Sequence, residues 1–278
     1  MSFKRLLYLT GHLLAILLLT ALTQTGGIVW LVSLLVCRWA ARKRYPRGLP
    51  FIGKLGVFIG LYLVCTLVLV PLSAPLGGRV PLPLFHARLQ PLAIGTVLLN
   101  RHYVRKELRQ AAFDLSEKMA TKYPGTVTLY LDAGFPFLNG FPLLPHLSHN
   151  NGRKMDLAFY YQDAVTRRPV SDAPSPIGYG ICEEPRAGEE NMAAYCVQRG
   201  FWQYSLLQTI IPQGNKRRFR LDEQRTRAAL TILASNPHIG KIFIEPHLKQ
   251  RLKLTAYAKI RFQGCQAVRH DDHIHIQL

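Results

Sequence analysis

The first 106 residues contain no aspartate and no glutamate, yet they carry 13 lysines and arginines. The whole chain, 278 residues long, has 35 basic and 16 acidic residues and a formal net charge of +19. The 22 basic residues beyond position 106 therefore leave a net of only +6 on the part that holds every acid. A nucleic-acid-binding protein concentrates its basic residues on a soluble domain. This chain sets most of its excess beside apolar runs instead, which argues against nucleic acid as a partner and against a soluble cytosolic enzyme. No small-residue cleavage site of the Ala-x-Ala kind follows the first apolar run, so a cleaved signal peptide is disfavoured. The chain also lacks internal repeats and low-complexity tracts, and it has only five cysteines.

What is present begins with three apolar runs, Leu6 to Leu22, Ile28 to Ala41 and Leu55 to Leu72. A spanning helix needs roughly 20 apolar residues, with about 17 as the lower limit. The third run meets that length. The first two are short and joined by Gln24-Thr25-Gly26-Gly27, which predicts a tight helical hairpin, with Trp30 and Trp39 marking interface levels on its second helix. Lys4 and Arg5 precede the first run, while Arg38, Arg42, Lys43, Arg44, Arg47 and Lys54 crowd the gap before the third. Basic loops stay cytoplasmic. Both clusters can do so only if the segment between them crosses twice or re-enters without crossing. In either case the third run crosses once, and everything after Leu72 lies outside. Residues 1–72 are thus expected as a transmembrane anchor of three helices, 73–100 as a proline-rich extended linker, and 101–278 as the outer domain.

In that domain the spacing of Leu108, Ala111, Ala112, Leu115 and Met119 predicts a helix from about Val104 to Lys122. Alternation predicts a strand over 126–131, and Leu157 to Tyr161 reads as another. The Phe135–Pro145 stretch is loop-like, and 162–220 reads as an insertion whose first part is a long polar loop. Asp222 stands as an N-cap before a helix through Leu233. Lys241 to Glu245 reads as a buried strand, Pro246 opens a short helix, and His273 to Leu278 forms a final strand. Strands separated by helices without regular alternation predict an α+β fold. Cys37 and Cys65 lie in or beside apolar runs as packing residues. In an oxidising compartment Cys182 and Cys196 can close a short loop, which leaves Cys265 without an obvious partner.

Two groups of histidines and acids carry the chemistry. His149 and Asp156 flank Gly152, and His270-Asp271-Asp272-His273-Ile274-His275 lies near the C-terminus. In a strand, His273 and His275 point to one face. Three ligands of mixed imidazole and carboxylate type, with a fourth position open, is the pattern of catalytic zinc. His149, Asp156 and His275 would supply it, and zinc lowers the pKa of its bound water to about 7. His273 is then the expected base and His270 the support of the developing oxyanion. Asp272 is a rival base, set on the opposite face from His275 by strand alternation. His146 is a candidate for orienting His149, while His12, His86, His102, His238 and His247 take the ordinary reading of surface or hydrogen-bonded residues.

His149-x6-Asp156 followed by His273-x-His275 resembles the motif of the superfamily of lysostaphin-type peptidases, D-alanyl-D-alanine metallopeptidases and hedgehog zinc folds. The added His270 looks most like the penicillin-insensitive murein endopeptidases, and Lys241 to Pro246 followed by Lys249 is similar to a strand-to-helix stretch there. The resemblance covers roughly 135–160 and 240–278. It implies a small antiparallel-sheet zinc domain with ligands His149, Asp156 and His275 and catalytic His273. It also implies cleavage of amide bonds involving D-amino acids in peptidoglycan cross-links. The expected protein is a multi-pass anchored zinc hydrolase of the bacterial inner membrane, with its N-terminus cytoplasmic and its catalytic domain periplasmic, acting on peptidoglycan peptides. The alternatives are a carboxypeptidase or dipeptidase that trims D-Ala-D-Ala ends, or a non-catalytic zinc-fold protein that binds cell wall. The triple apolar anchor departs from those soluble endopeptidases.

Overall fold

The computed structural model describes residues 2–43, 49–144 and 146–278. Arg44 and Arg47 of the basic cluster, and Pro145 of the predicted loop, lie outside the described residues. The N-terminal helices are α1 (Phe3–Thr23), α2 (Gly26–Lys43) and α3 (Phe51–Gly77). Of these, α1 and α3 are long and apolar enough to cross a membrane, with mean hydropathies of 2.0 and 2.5 over their most apolar windows. The turn between α1 and α2 is as tight as its glycines suggest. A Cβ on Gly27 would sit 2.7 Å from the Ile16 carbonyl oxygen, so only glycine lets the two backbones approach this closely. Trp30 packs between the helices: its indole N–H donates to His12 Nδ1 at 3.1 Å, and its ring meets Phe58. Within α3 a π-helical turn over Cys65–Leu69 precedes Pro71. The widened turn accommodates a ring that removes an N–H and crowds the carbonyl four residues back.

The third apolar run divides its work. Val70 and Ala74 are buried with Tyr103, against Phe137, so the upper part of α3 packs on the outer domain rather than on lipid. The stretch 73–100, expected as a free connector, is likewise built into the fold. It holds β1 (Val80–Pro81), β2 (Leu89–Pro91) and helix α4 (Ile94–Leu98). Proline at Pro91 suits an edge strand, where one N–H is not required by a neighbour.

The remaining elements are β3 (Tyr103–Val104), α5 (Lys106–Lys122), β4 (Thr128–Asp132), β5 (Lys154–Ala158), β6 (Tyr161–Asp163), β7 (Pro169–Val170), α6 (Met192–Gln198), α7 (Leu206–Ile210), β8 (Phe219–Leu221), α8 (Glu223–Ser235), β9 (Lys241–Phe243), α9 (Pro246–Arg251), β10 (Ile260–Arg261) and β11 (His273–Gln277). The fold is α+β. Its principal sheet has six strands in the order β10-β9-β11-β5-β4-β2. The four central strands pair antiparallel, but β2 joins β4 and β10 joins β9 in parallel, so the sheet is mixed rather than antiparallel throughout. The apolar faces of α5 (Leu108, Ala111, Leu115, Met119) and α8 (Ala229, Leu230, Leu233) join the sheet in one core. The Asp222 side chain accepts from the Arg225 N–H at 2.9 Å and caps α8.

Two strand boundaries move. The run from Leu157 to Tyr161 is not one strand: β5 starts at Lys154 and leaves the sheet after Ala158, and β6 begins in a second, three-stranded sheet of order β7-β6-β8. That small sheet and helices α6 and α7 fill the region expected as an insertion. The disulfide is also different. Cys196 in α6 bonds Cys265, whereas Cys182 is a buried free thiol. Proximity in sequence favoured the 182–196 loop, but the fold brings α6 back against the segment before β11 and carries Cys182 into the interior.

Candidate metal centre

Antiparallel pairing sets one row of residues straight across the sheet: Asp132 of β4 opposite Asp156 of β5, Asp156 opposite His275 of β11, and His275 opposite Phe243 of β9. Directly opposed residues share a face. Two residues earlier on β11, His273 shares that face, opposite Ala158. All of these polar side chains are buried. The loop from Phe135 to Asn150 folds over the row and adds His146 and His149.

The lone pairs converge. His149 Nδ1 donates to the Ala133 carbonyl at 2.8 Å, which leaves its Nε2 as a bare acceptor. That Nε2 lies 3.2 Å from His275 Nδ1 and 3.4 Å from Asp156 Oδ1, and the last two atoms are 2.8 Å apart. Three ligands at about 2.0–2.1 Å from a tetrahedral ion would stand about 3.3 Å from one another. The triangle of His149, Asp156 and His275 has two edges near that length, and its 2.8 Å edge is the His275–Asp156 hydrogen bond that an ion would replace.

The charge states agree. Burial raises the Asp156 pKa, but His149, His273 and His275 overcome it and hold the carboxyl well below its usual range. Burial lowers His275 to about 4 against the opposing pull of Asp156, so the imidazole is neutral at ordinary pH. His149 is pulled the other way: burial is outweighed by Asp156, and its pKa is raised. An anionic oxygen flanked by imidazole nitrogens that compete for one proton is a donor set a cation satisfies.

The six residues fall into two adjoining groups, His146, His149 and Asp156 on one side and His270, His273 and His275 on the other, and either could hold a metal ion. The expected triad takes members from both. His146 does not orient His149 through a hydrogen bond. Its Nδ1 instead faces Asp132 Oδ2 at 3.1 Å and Asp156 Oδ2 at 3.4 Å, and its Nε2 is buried without a partner among the described residues. His273 donates from Nδ1 to Asp272 Oδ1, which orients the ring and sets its Nε2 3.7 Å from Asp156 Oδ1. Burial lowers its pKa, but Asp156 and Asp272 raise it further, to about 9. Asp272 is thus committed to orienting His273, and its other oxygen accepts from the Gly180 N–H at 2.6 Å. His270 lies with its ring 5.0 Å from that of His273, and burial together with His273 and His275 keeps it neutral.

Three contributors were missed in the sequence. Tyr179 donates its O–H to Asp156 Oδ2 at 2.8 Å, and its pKa is raised well above normal by burial and by Asp156 and Asp132, so it remains a donor. It stands between two glycines, and Gly178 has φ +82° with Leu131 where a Cβ would go. A tyrosine between two glycines in a polar stretch was the available signal. Asp132 ends an otherwise apolar buried strand and binds Arg101 by both oxygens. Arg79, the third, is fully buried directly after α3. Its guanidinium donates to the carbonyl of Phe135, to those of Leu138 at 3.2 Å and Asn150 at 3.3 Å, and to Asn139 Oδ1 at 2.6 Å. That one side chain closes both ends of the loop that carries His146 and His149.

A cavity of about 290 Å³ opens on the row, walled by His149, Asp156, His270, His273 and His275 together with Leu147 and Val268. Buried His and Asp groups able to hold a metal ion, beside an accessible cavity, are what the chain presents. It matches no family model and no curated protein.

Proposed function

We propose that the protein is a membrane-anchored zinc metallopeptidase that hydrolyses D-amino-acid amide bonds in peptidoglycan cross-links. The observation that carries this reading is the triangle of His149 Nε2, Asp156 Oδ1 and His275 Nδ1 with His273, oriented by Asp272, beside it. A zinc ion held by those three residues would supply Lewis-acid polarisation of the amide carbonyl and acidification of water at neutral pH. A cation on Asp156 would cancel the negative charge that holds the proton on His273. The neutral Nε2 then accepts the proton of the attacking water, and Asp272 stabilises the imidazolium that results. The same nitrogen then delivers the proton to the departing amine. His270, neutral and on the same face of the site, donates an N–H to the oxyanion. Tyr179 keeps Asp156 ionised and aimed. The resemblance to murein endopeptidases supports the choice of bond.

The anchor supports a periplasmic domain. The turn between α1 and α2 touches the domain, since Gln24 Oε1 accepts from the Phe137 N–H at 2.8 Å and Asn100 Nδ2 donates to Thr25 Oγ1 at 3.0 Å. A turn on the domain's side of the membrane makes α1 and α2 a return crossing, with the basic clusters before α1 and α3 on the opposite, cytoplasmic side. Three crossings are the arrangement that satisfies both contacts and charges.

The test is digestion of purified peptidoglycan by the full chain in detergent, with products identified by mass spectrometry. Cross-linked dimers should become monomers, a chelator should stop the reaction and zinc should restore it. Absent or chelator-insensitive cleavage overturns the proposal.

A further inference from the structure

The domain is seated low on its anchor. Tyr62 donates its O–H to the Leu98 carbonyl at 2.6 Å. At about 1.5 Å per residue, Tyr62 is about 16 Å along α3 from Phe51, with about 22 Å still to run to Gly77. Asn100 meets Thr23 and Thr25 at the α1–α2 turn. Helix α4 and the residues after it therefore lie at the level where the α1–α2 hairpin ends, alongside α3 rather than above it, which sets them against the bilayer in the membrane reading. Exposed Ile94, Leu138 and Leu144 stand on the same low segments.

Behind α4 is a groove of about 230 Å³ walled by Leu92, Leu99, Leu131, Ile177 and Leu207, which ends on His146 and Tyr179. It is narrower than the about 300–1,000 Å³ usual for drug-sized ligands, which suits one chain. The charged groups at its inner end are spent on each other, since Arg101 is paired with Asp132 and also donates to the Leu144 carbonyl. Among the described residues no free cation remains there for a lipid phosphate. What adjoins it is the metal-site cavity, because His146 walls both.

We propose that this groove takes the hydrocarbon chain of a membrane-inserted amphiphile whose amide lies in the metal-site cavity, so that a peptide amide tethered to the membrane is cut in preference to an untethered one. The hydrolysis rests on the function proposed above, whereas the seating of the chain does not. The groove lies behind α4, the element that meets the anchor at Tyr62, so a chain drawn from the bilayer has one short helix to pass, and the apolar walls hold it. The amide then sits across His146, facing His273.

Gly95 gives the test. It lines the groove, and a Cβ there meets nothing within 4 Å, so Gly95→Trp adds bulk at no cost in backbone contacts. Ala93→Trp obstructs from the neighbouring wall position. The full chain, metal-free in nanodiscs of phosphatidylethanolamine and phosphatidylglycerol, is photolabelled with a palmitoylated peptide amide that carries a diazirine at the chain end. A diazirine phosphatidylglycerol serves in parallel. We expect the amide probe to label Leu99, Leu131 and Ile177, and both Trp variants to lose that label several-fold. The phospholipid should label only the anchor helices. With zinc, the palmitoylated amide should be cut about tenfold faster than the same peptide without the chain, a gain equivalent to burying roughly two methylenes. In the Trp variants that ratio should fall to about one while the rate on the free peptide holds. Labelling confined to the anchor, equal rates on the two substrates, or groove labelling by phospholipid that the amide does not displace would each overturn the proposal. Groove labelling without hydrolysis of either amide would support the groove assignment and overturn the peptidase reading alone.

Discussion

Replacing Asp156 with asparagine separates a metal site from a buried hydrogen-bond network. In the wild type its two oxygens serve His275 Nδ1 and the Tyr179 hydroxyl, each at 2.8 Å, with His149 Nε2 and His146 Nδ1 both at 3.4 Å. Asparagine keeps the shape but removes the charge, and its NH2 must face one of those donors. The loss is at least one hydrogen bond to a charged group, about 1.5–3 kcal/mol, and with a cation present it is also the only anionic ligand. At 1.4 kcal/mol per decade, zinc affinity should fall about 100-fold or more. Zinc at about 1,000 times its dissociation constant stabilises by about 4 kcal/mol. For an outer domain of this size that raises Tm by about 8–16 °C. After a 100-fold loss the same zinc concentration gives only about 1.4 kcal/mol, and the shift shrinks to about 3–6 °C. The assay is thermal unfolding of the full chain in detergent with zinc and with chelator, with bound metal counted by mass spectrometry. Asp272→Asn is the control, since it touches His273 and Gly180 and none of the three ligands. It should keep the zinc shift and lose turnover. If Asp156→Asn keeps stoichiometric metal and the full shift, the ligand assignment is wrong.

The disulfide between Cys196 and Cys265 closes a separation of 69 residues, and the chain-entropy relation assigns it about 4 kcal/mol. Cys265→Ser should lower the unfolding midpoint accordingly, whereas Cys182→Ser should leave the peptide map of the bridge unchanged. Glu245 is buried, raised to about 7 by desolvation and by Asp271, with Tyr204 donating to one oxygen and the other unpartnered. The folded state holds its proton more tightly than the unfolded state, so this contribution is complete below about pH 4.5 and is lost as pH rises through about 7. The change is about 3 kcal/mol in the wild type. Glu245→Gln should flatten that window in denaturant titrations at a series of pH values, and an unchanged slope would refute the assignment. Arg79→Met should weaken zinc binding by about tenfold without touching a ligand, because supporting contacts of metal ligands carry effects of that size. Isothermal titration with zinc reads it, and an unaltered affinity would show that the loop holds itself.

Much of the site was legible because its parts are local. A strand period of two fixes His273 and His275 on one face, and the His149–Asp156 spacing survives because Gly152, at φ +71°, turns the chain from the loop into β5. What was not legible depends on pairing between distant segments. Leu157 to Tyr161 is uniformly apolar, so nothing in it marks the point after Ala158 where the chain exchanges one sheet for another. β2 hides in a proline-rich stretch because an edge strand tolerates what a central strand does not. Cys265 could not be matched with Cys196 from spacing, since the pair is made by the return of α6 toward the last strand. Asp272 was assigned by alternation to the wrong face for chemistry, and it does point away from His275. Its neighbour's ring nevertheless reaches back to it, which makes Asp272 the hydrogen-bond partner of His273.

Arg79 joins the two halves of the molecule. A guanidinium with no carboxylate partner is costly to bury, and desolvation together with Arg105 lowers its pKa to about 10. The charge is tolerated because the 135–150 loop turns carbonyls inward, and buried carbonyls need donors as much as a buried cation needs acceptors. Four acceptors from both ends of the loop meet one planar fork. An ammonium, with three donors at a point, could not span them. The fork is held in turn by where α3 ends, because Gly78 at φ +70° reverses the chain and sends Arg79 under the loop. At the other side of the same loop, Gln24 of the anchor turn takes the Phe137 N–H. The histidines over the sheet are thus positioned from below by β5 and β11 and from the side by the anchor. A domain cut away from α3 would keep its sheet and lose the clamp that sets His149 against Asp156.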